Sequence, residues 1–249
     1  MRTNHSELKK KLQDIFGKKV VFDYPLSLLT TVHIGGPASS IIHAKNKNDI
    51  TNAIAVASTH HIPYKIIGGA SNIIPNDKGF SGMIIKNEIT ALSIDHSKKT
   101  CTVGAGHNLL SLIHKLNRNG LMGMEKMAGI PGTIGGALYG CAGAYGQEIK
   151  DCLRNILIFN GKKTRILTRE KCGFGYRDSI FKKKKHWIIL EASFSHARGD
   201  PKTLQKTSRE IIALRAKKYE PGLLCPGSFF KNIVIKHIKP LALQKEFIK

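Results

Sequence analysis

Short apolar runs return along the chain between polar and glycine-rich segments. Ser40–His43, Tyr64–Ile67, Met83–Lys86, Cys101–Val103, Asn155–Phe159 and Trp187–Phe194 predict strands, because each is a brief apolar stretch bounded by turn residues. Other stretches carry helical spacing. Ile50, Ala53, Ile54 and Ala57 share one face, with Asn48 or Asp49 as the expected cap. Leu109, Leu112, Ile113 and Leu116 do the same, and Gly120 is the expected stop. Thr203–Lys218 predicts a third helix with a basic outer side. Residues 1–20 read as a polar tail or a short helix. The pattern predicts an α+β fold, since strands and helices alternate too irregularly for a doubly wound sheet. The sequence A-R-G-D-P interrupts both periodicities and predicts a boundary near Arg198–Pro201.

Composition narrows the picture. A chain of 249 residues has material for one or two domains. No run approaches the roughly 18 apolar residues of a membrane span. The N-terminus lacks a signal-peptide core, so a cytoplasmic protein without membrane insertion is expected. Five cysteines, at 101, 141, 152, 172 and 225, show no C-x-x-C spacing. Reduced thiols are expected, with neither a disulfide framework nor a metal site. The net charge of +23 raises nucleic acid as a partner. Yet the basic residues are scattered, mostly as lysine, in a chain rich in isoleucine and asparagine. The charge reads as compositional, with no specific nucleic-acid partner. The densest run, Lys182–Lys185, reads as a solvated loop. A positive field would also favour a phosphate-bearing substrate.

Candidate chemistry sits where glycine is dense. Ala128–Lys150 holds seven glycines, at 129, 132, 135, 136, 140, 143 and 146, with almost no charge between them. Glycine is costly in ordered structure, and backbone that lies flat against a bulky ligand is one reason for it. Gly132, Gly136 and Gly140 fall four apart, which helix packing also explains. Tyr64–Asn72, Y-K-I-I-G-G-A-S-N, is a strand running into two glycines and two small polar residues. Such a turn aims amides, the Ser71 hydroxyl and the Asn72 amide at a diphosphate; an ordinary strand-to-loop turn is the alternative. It lacks the G-x-G-x-x-G spacing of a Rossmann site. Two cradles suggest one large nucleotide-type cofactor gripped at two places. G-F-G-Y-R at 173–177 sets an arginine beside aromatics, able to fork onto a carboxylate or simply to pair with Asp178. P-G-S-F-F-K-N at 226–232 sets Ser228 on a tight turn, either a proton donor or a capped turn feeding a strand. No G-x-S-x-G, H-E-x-x-H or paired metal ligands support a hydrolase or metalloenzyme.

These four segments, in this order, resemble the UDP-N-acetylenolpyruvoylglucosamine reductases. Thr30–Ala38, T-T-V-H-I-G-G-P-A, is similar to that family's opening motif, and D-K-G-F-S-G-M-I-I-K at 77–86 to the strand after its first flavin loop. The resemblance spans about Phe22 to Asn232. It implies an FAD-binding domain of the PCMH, vanillyl-alcohol-oxidase-like type, made of two subdomains over residues 21–197. An incomplete α+β substrate domain would follow over 198–249. It implies noncovalent FAD, NADPH as hydride donor, and a UDP-sugar substrate reduced in cell-wall synthesis by a monomeric enzyme. The first cofactor cradle would be Gly68, Gly69, Ala70, Ser71, Asn72 and Ile73. The second would be Gly129, Ile130, Pro131, Gly132, Thr133, Gly135 and Gly136, continued by Ala142, Gly143, Ala144 and Tyr145. By position Ser228 matches the proton donor and Arg177 the arginine that stabilises the developing enolate. Tyr176, Lys218 and Asn232 match substrate-side residues.

The chain also departs from that pattern. Its lysine lies in K-Y-E-P where lysine-x-proline is usual, and no proline follows Asn232. The family continues well past the serine motif and carries a catalytic glutamate near its end. The last segment here resembles nothing in the family, and Glu246 is not given that role. A truncated or frameshifted product is therefore expected. An inactive flavin-binding remnant is the alternative to a working enzyme, and a basic nucleic-acid-binding protein is the remaining one.

Overall fold

The computed structural model describes residues 5–218, 222–228 and 230–232. Its first unit opens with α1 (His5–Phe16), then β1 (Val20–Pro25), β2 (Pro37–Ala44), α2 (Lys47–Thr59), β3 (Tyr64–Ile67) and β4 (Phe80–Asn87). The strands lie in the order β1-β2-β4-β3. β1 runs antiparallel to β2, while β2 and β3 both run parallel to β4. A parallel pair needs a crossover, which α2 supplies. Ile50, Ala53, Ile54 and Ala57 form its buried face, packed with Ile42, Met83, Ile85 and the α1 residues Leu12 and Phe16. Each isoleucine so buried contributes about 1.5–3 kcal/mol.

The cap of α2 differs from the expected Asn48 or Asp49. Asn46 is the cap, its side chain accepting from the Asp49 amide at 2.9 Å. Asp49 lies inside the first turn, where its buried carboxylate accepts from the Lys45 amide at 2.9 Å and the Lys19 ammonium at 2.7 Å. Three cap-type residues within four positions made the sequence ambiguous. Only the residue just outside the helix can present its oxygen to the free amides.

The second unit contains β5 (Leu92–Asp95), β6 (Thr100–Gly104), α3 (Leu109–Arg118), β7 (Leu121–Met122), α4 (Ile134–Gly140), β8 (Gly143–Ala144) and β9 (Gln147–Glu148). There follow β10 (Leu153–Phe159), β11 (Thr164–Thr168), α5 (Ile180–Lys183), β12 (Ile188–Ser195), β13 (Ala197–Arg198) and α6 (Pro201–Ala216). Five strands make an antiparallel sheet in the order β11-β10-β12-β6-β5. Its core gathers Leu109, Leu112, Ile113 and Leu116 of α3 with Ile134 and Leu138 of α4. Ile211 of α6 joins the same core. α6 begins two residues before the expected Thr203, because Asp200 accepts from the Thr203 amide at 2.8 Å and Pro201 fits the first turn.

The two units share a seam. Phe159, Ile188 and Leu190 of the second sheet are buried in the core of the first. Asn87 at the end of β4 donates to the Ile189 carbonyl at 3.1 Å in a buried bond.

Every strand of four or more residues that the pattern missed, β1, β5 and β11, lies at a sheet edge. Edge strands need an apolar residue only at alternate positions, so their signal is thin. In β11 only Leu167 is buried. Lys182–Lys185 is also not simply a loop. Lys182 and Lys183 close α5, and Lys182 turns back to the carbonyl of Arg177 at 2.6 Å. Among the described residues no helix is long and apolar enough to cross a membrane.

Candidate functional site

The two glycine-rich loops lie against each other. β3 delivers Gly68 and Gly69 under the turn that opens α4. A Cβ on Gly68 would collide with Oγ1 of Thr133, and one on Gly69 would lie 3.1 Å from the Gly132 Cα. The Ser71 hydroxyl donates to the Pro131 carbonyl at 3.3 Å. Thr133 caps α4 by accepting from the Gly136 amide at 3.4 Å. The Gly135 amide reaches the Ala105 carbonyl at 2.8 Å, and a Cβ there would crowd Ala105 at 3.1 Å. Helix packing does not explain the four-residue spacing. Gly132 precedes α4, and nothing lies within 4 Å of the place a Gly140 Cβ would take.

A cleft of about 530 Å³ opens beside the contact, lined by Gly68, Gly69, Gly106, Thr133, Lys45, Lys86, Glu88 and Thr90. Sequence reasoning missed all of the side chains from Lys45 to Thr90 except Lys86, which closed a quoted motif without a role. Glu88 receives His43 Nδ1 at 2.9 Å and Lys86 Nζ at 3.0 Å. Burial alone would raise its carboxyl pKa, but these two partners outweigh it and hold Glu88 ionised below the ordinary range. Exposed amides, bare glycine surface and two lysines on one cleft suit a dinucleotide with a diphosphate centre. The residues present thus fit FAD.

Arg177 sits at the far end of the second loop. Its guanidinium donates to the Cys141 carbonyl at 3.1 Å and the Gly143 carbonyl at 2.6 Å, with Glu148 at 3.8 Å. It does not pair with Asp178. The loop carbonyls take the guanidinium instead. Tyr176 is half exposed beside it, with the guanidinium 5.2 Å from the ring centre. Lys218 Nζ lies 5.7 Å from the ring centre of Tyr145, which brings it to the second loop. Ser228 approaches the first loop. The Asn72 side chain donates to the carbonyls of Pro226 at 2.7 Å and Ser228 at 3.2 Å. Asn232 is exposed, and among the described residues its side chain has no hydrogen-bond partner. Glu246 and the rest of 233–249 lie outside the described residues.

Backbone strain concentrates here. Eight described non-glycine residues have positive φ, and four of them are Ala70, Cys141, Tyr145 and Arg177, between 46° and 52°. Such conformations persist where surrounding structure enforces them, commonly at functional sites.

Comparison with known proteins agrees with this geometry. The family model described as an FAD binding domain matches residues 38–166. UDP-N-acetylenolpyruvoylglucosamine reductase of Solibacter usitatus is 39% identical over 216 residues, covering 87% of this chain and 69% of that protein. The Bacillus pumilus enzyme of the same name is 33% identical, over 90% of this chain and 75% of its own. The chain belongs to the UDP-N-acetylenolpyruvoylglucosamine reductase family.

The crystal structure of the family member from Thermus caldophilus superposes with a TM-score of 0.70 at 27% identity, covering 86% of this chain and 74% of that one. Alkyldihydroxyacetonephosphate synthase matches with a TM-score of 0.58 at 15% identity, over 79% of this chain and 41% of that one. That likeness concerns the fold alone. The expected PCMH-type, vanillyl-alcohol-oxidase-like fold of two α+β subdomains is therefore the one present. As a member of the reductase family the chain is an oxidoreductase by descent, with an FAD-binding domain.

Proposed function

We propose that this protein reduces the enolpyruvyl group of UDP-N-acetylenolpyruvoylglucosamine to UDP-N-acetylmuramate for peptidoglycan synthesis. FAD, when bound, supplies the redox chemistry, taking two electrons from NADPH and passing them as hydride to the enolpyruvyl double bond. The two glycine loops hold it noncovalently. Lys45 and Lys86, on the wall of the same cleft, would offer positive charge to its phosphates, and the amides of 68–72 would offer donors to the diphosphate. Arg177 offers positive charge where negative charge grows on the enolpyruvyl carboxylate side. Ser228 gives its hydroxyl proton to the carbon that does not receive hydride, completing the addition across the alkene. Tyr176, Lys218 and Asn232 contact the UDP-sugar. We divide the chain into a flavin domain over residues 21–197 and the start of a substrate domain from 198, acting as a cytoplasmic monomer with no nucleic-acid partner.

One observation carries this reading: the two loops touch along Gly68, Gly69 and Thr133 beside one cleft, with Arg177 fixed to one loop and the serine turn to the other. The test is reconstitution with FAD followed by NADPH oxidation. The protein should turn yellow, and oxidation should depend on the enolpyruvyl substrate. Ser228→Ala should slow it by about 100-fold or more. A protein that takes up no FAD overturns the reading. One that binds FAD but shows no substrate-dependent oxidation is the inactive flavin-binding form.

A further inference from the structure

The Asn72 carboxamide is engaged in a way the sequence did not suggest. Its NH2 group donates to two carbonyls that flank Gly227, those of Pro226 and Ser228. Two acceptors facing one end of an amide fix which end carries nitrogen, because only NH2 can donate twice. Gly227 makes this possible. Its φ of +70° turns the chain so that both carbonyls face the same partner, and a Cβ there would stand 3.6 Å from the Ser71 carbonyl and 3.7 Å from Asn72 Nδ2. One residue earlier, the Cys225 carbonyl accepts the Thr31 hydroxyl at 2.9 Å. Three of the four carbonyls from Cys225 to Ser228 are thus held by side chains from two distant parts of the first unit. Within this segment Leu223, Leu224 and Ser228 are exposed.

We infer that Asn72 and Thr31 are positioning residues for Ser228. Asn72 ties the serine turn to the loop proposed to cradle the dinucleotide and Thr31 ties it to the segment before β2, so that the proton donor keeps a fixed place relative to the flavin. Asn72 has two separate tasks. Its backbone N–H belongs to the cradle, and its carboxamide belongs to the turn. The Thr31 hydroxyl donates to the turn. This inference rests on the reading of Ser228 as proton donor for its catalytic consequence, though the joint itself stands without it.

Cys225 is a built-in reporter of the joint. Burial pushes the thiols of Cys101 and Cys172 up to about 12 and that of Cys152 to about 11, and raises that of Cys141, so all four react slowly at neutral pH. Maleimide labelling of Cys225, followed by peptide mass spectrometry on the FAD-loaded full chain, reads opening of the turn. Loss of one hydrogen bond in Thr31→Val should speed labelling by about 3-fold, and loss of two in Asn72→Ala by on the order of 10-fold. Thr31→Ser, which keeps the hydroxyl, should label at the wild-type rate. Equal rates in all four proteins overturn the joint.

The catalytic consequence is read in two half-reactions of Thr31→Val. Flavin content and bleaching by NADPH should stay at wild-type levels. The substrate-driven return of yellow colour should slow about 3-fold at saturating substrate, with the half-saturating concentration unchanged. If Ser228→Ala slows that return and Thr31→Val does not, the positioning role is overturned. If Ser228→Ala does not slow it either, the proton-donor reading fails, while the labelling rates still judge the joint.

Discussion

The two glycine loops use the same residue for opposite reasons. In the first, glycine is demanded by the protein: a Cβ on Gly68 would strike Thr133 Oγ1, and one on Gly69 would press on the Gly132 Cα at 3.1 Å. In the second, Gly136 and Gly140 meet almost nothing; Gly140 has open space, and Gly136 has only Thr133 Oγ1, at an ordinary 3.6 Å. Both lie in α4, where glycine is about 1 kcal/mol worse than alanine. The difference teaches that Gly68 and Gly69 are set by the neighbouring loop, as Gly135 and Gly143 are by Ala105 and Gln147, whereas Gly136 and Gly140 meet no such protein neighbour.

Arg177 gives the largest test, because its guanidinium is held on the second loop by the Cys141 and Gly143 carbonyls. Arg177→Ala should lower turnover by about 100-fold or more, measured as substrate-dependent NADPH oxidation, while FAD content holds. Next comes the steric claim. Gly68→Ala should cost the apoprotein about 2–3 kcal/mol in thermal or urea unfolding, because Thr133 must leave the rotamer that caps α4. Thr133→Ala should cost about 1 kcal/mol by itself, and in that background Gly68→Ala should cost much less; additive costs would break the contact argument. Gly136→Ala should do the reverse of Gly68→Ala. The apoprotein should gain about 0.5–1 kcal/mol and FAD should bind more weakly, both read by melting with and without FAD. Loss of stability in the apoprotein would place the second loop in the same class as the first.

The smallest effect concerns the cleft wall. Glu88 titrates below the ordinary glutamate range in the folded protein. Its partnership with His43 and Lys86 therefore contributes stability above the ordinary range and loses it as pH falls through the folded value. Stability of Glu88→Gln should be lower near neutrality and should fall less steeply on acidification than that of the wild type.

What the sequence revealed follows from the same contrast. The loops were legible because dense glycine is rare enough to need a cause. Central strands such as β4 and β12 were legible because burial on both faces gives continuous apolar runs. The edge strands were not, since V-V-F-D-Y and T-R-I-L-T mix signals. Lys45, Glu88 and Lys182 carried no local mark; their roles arise when β4, the cleft and α5 come together. Asn46 lost to Asn48 and Asp49 in the reading because cap chemistry is the same in all three, and only the turn of the chain decides among them. The Asn72 carboxamide read as a phosphate donor for a similar reason. Its partner carbonyls lie more than 150 residues away in sequence.

The seam beneath the cleft sets a further condition. Phe159, Ile188 and Leu190 knit the second sheet into the first core, and Asn87 fastens β4 to β12. A floor so riveted does not flex like a clamshell. Whatever settles into the cleft must be admitted by the surface turns around its mouth, and its rate of escape will follow their fluctuations rather than any swing of the two halves.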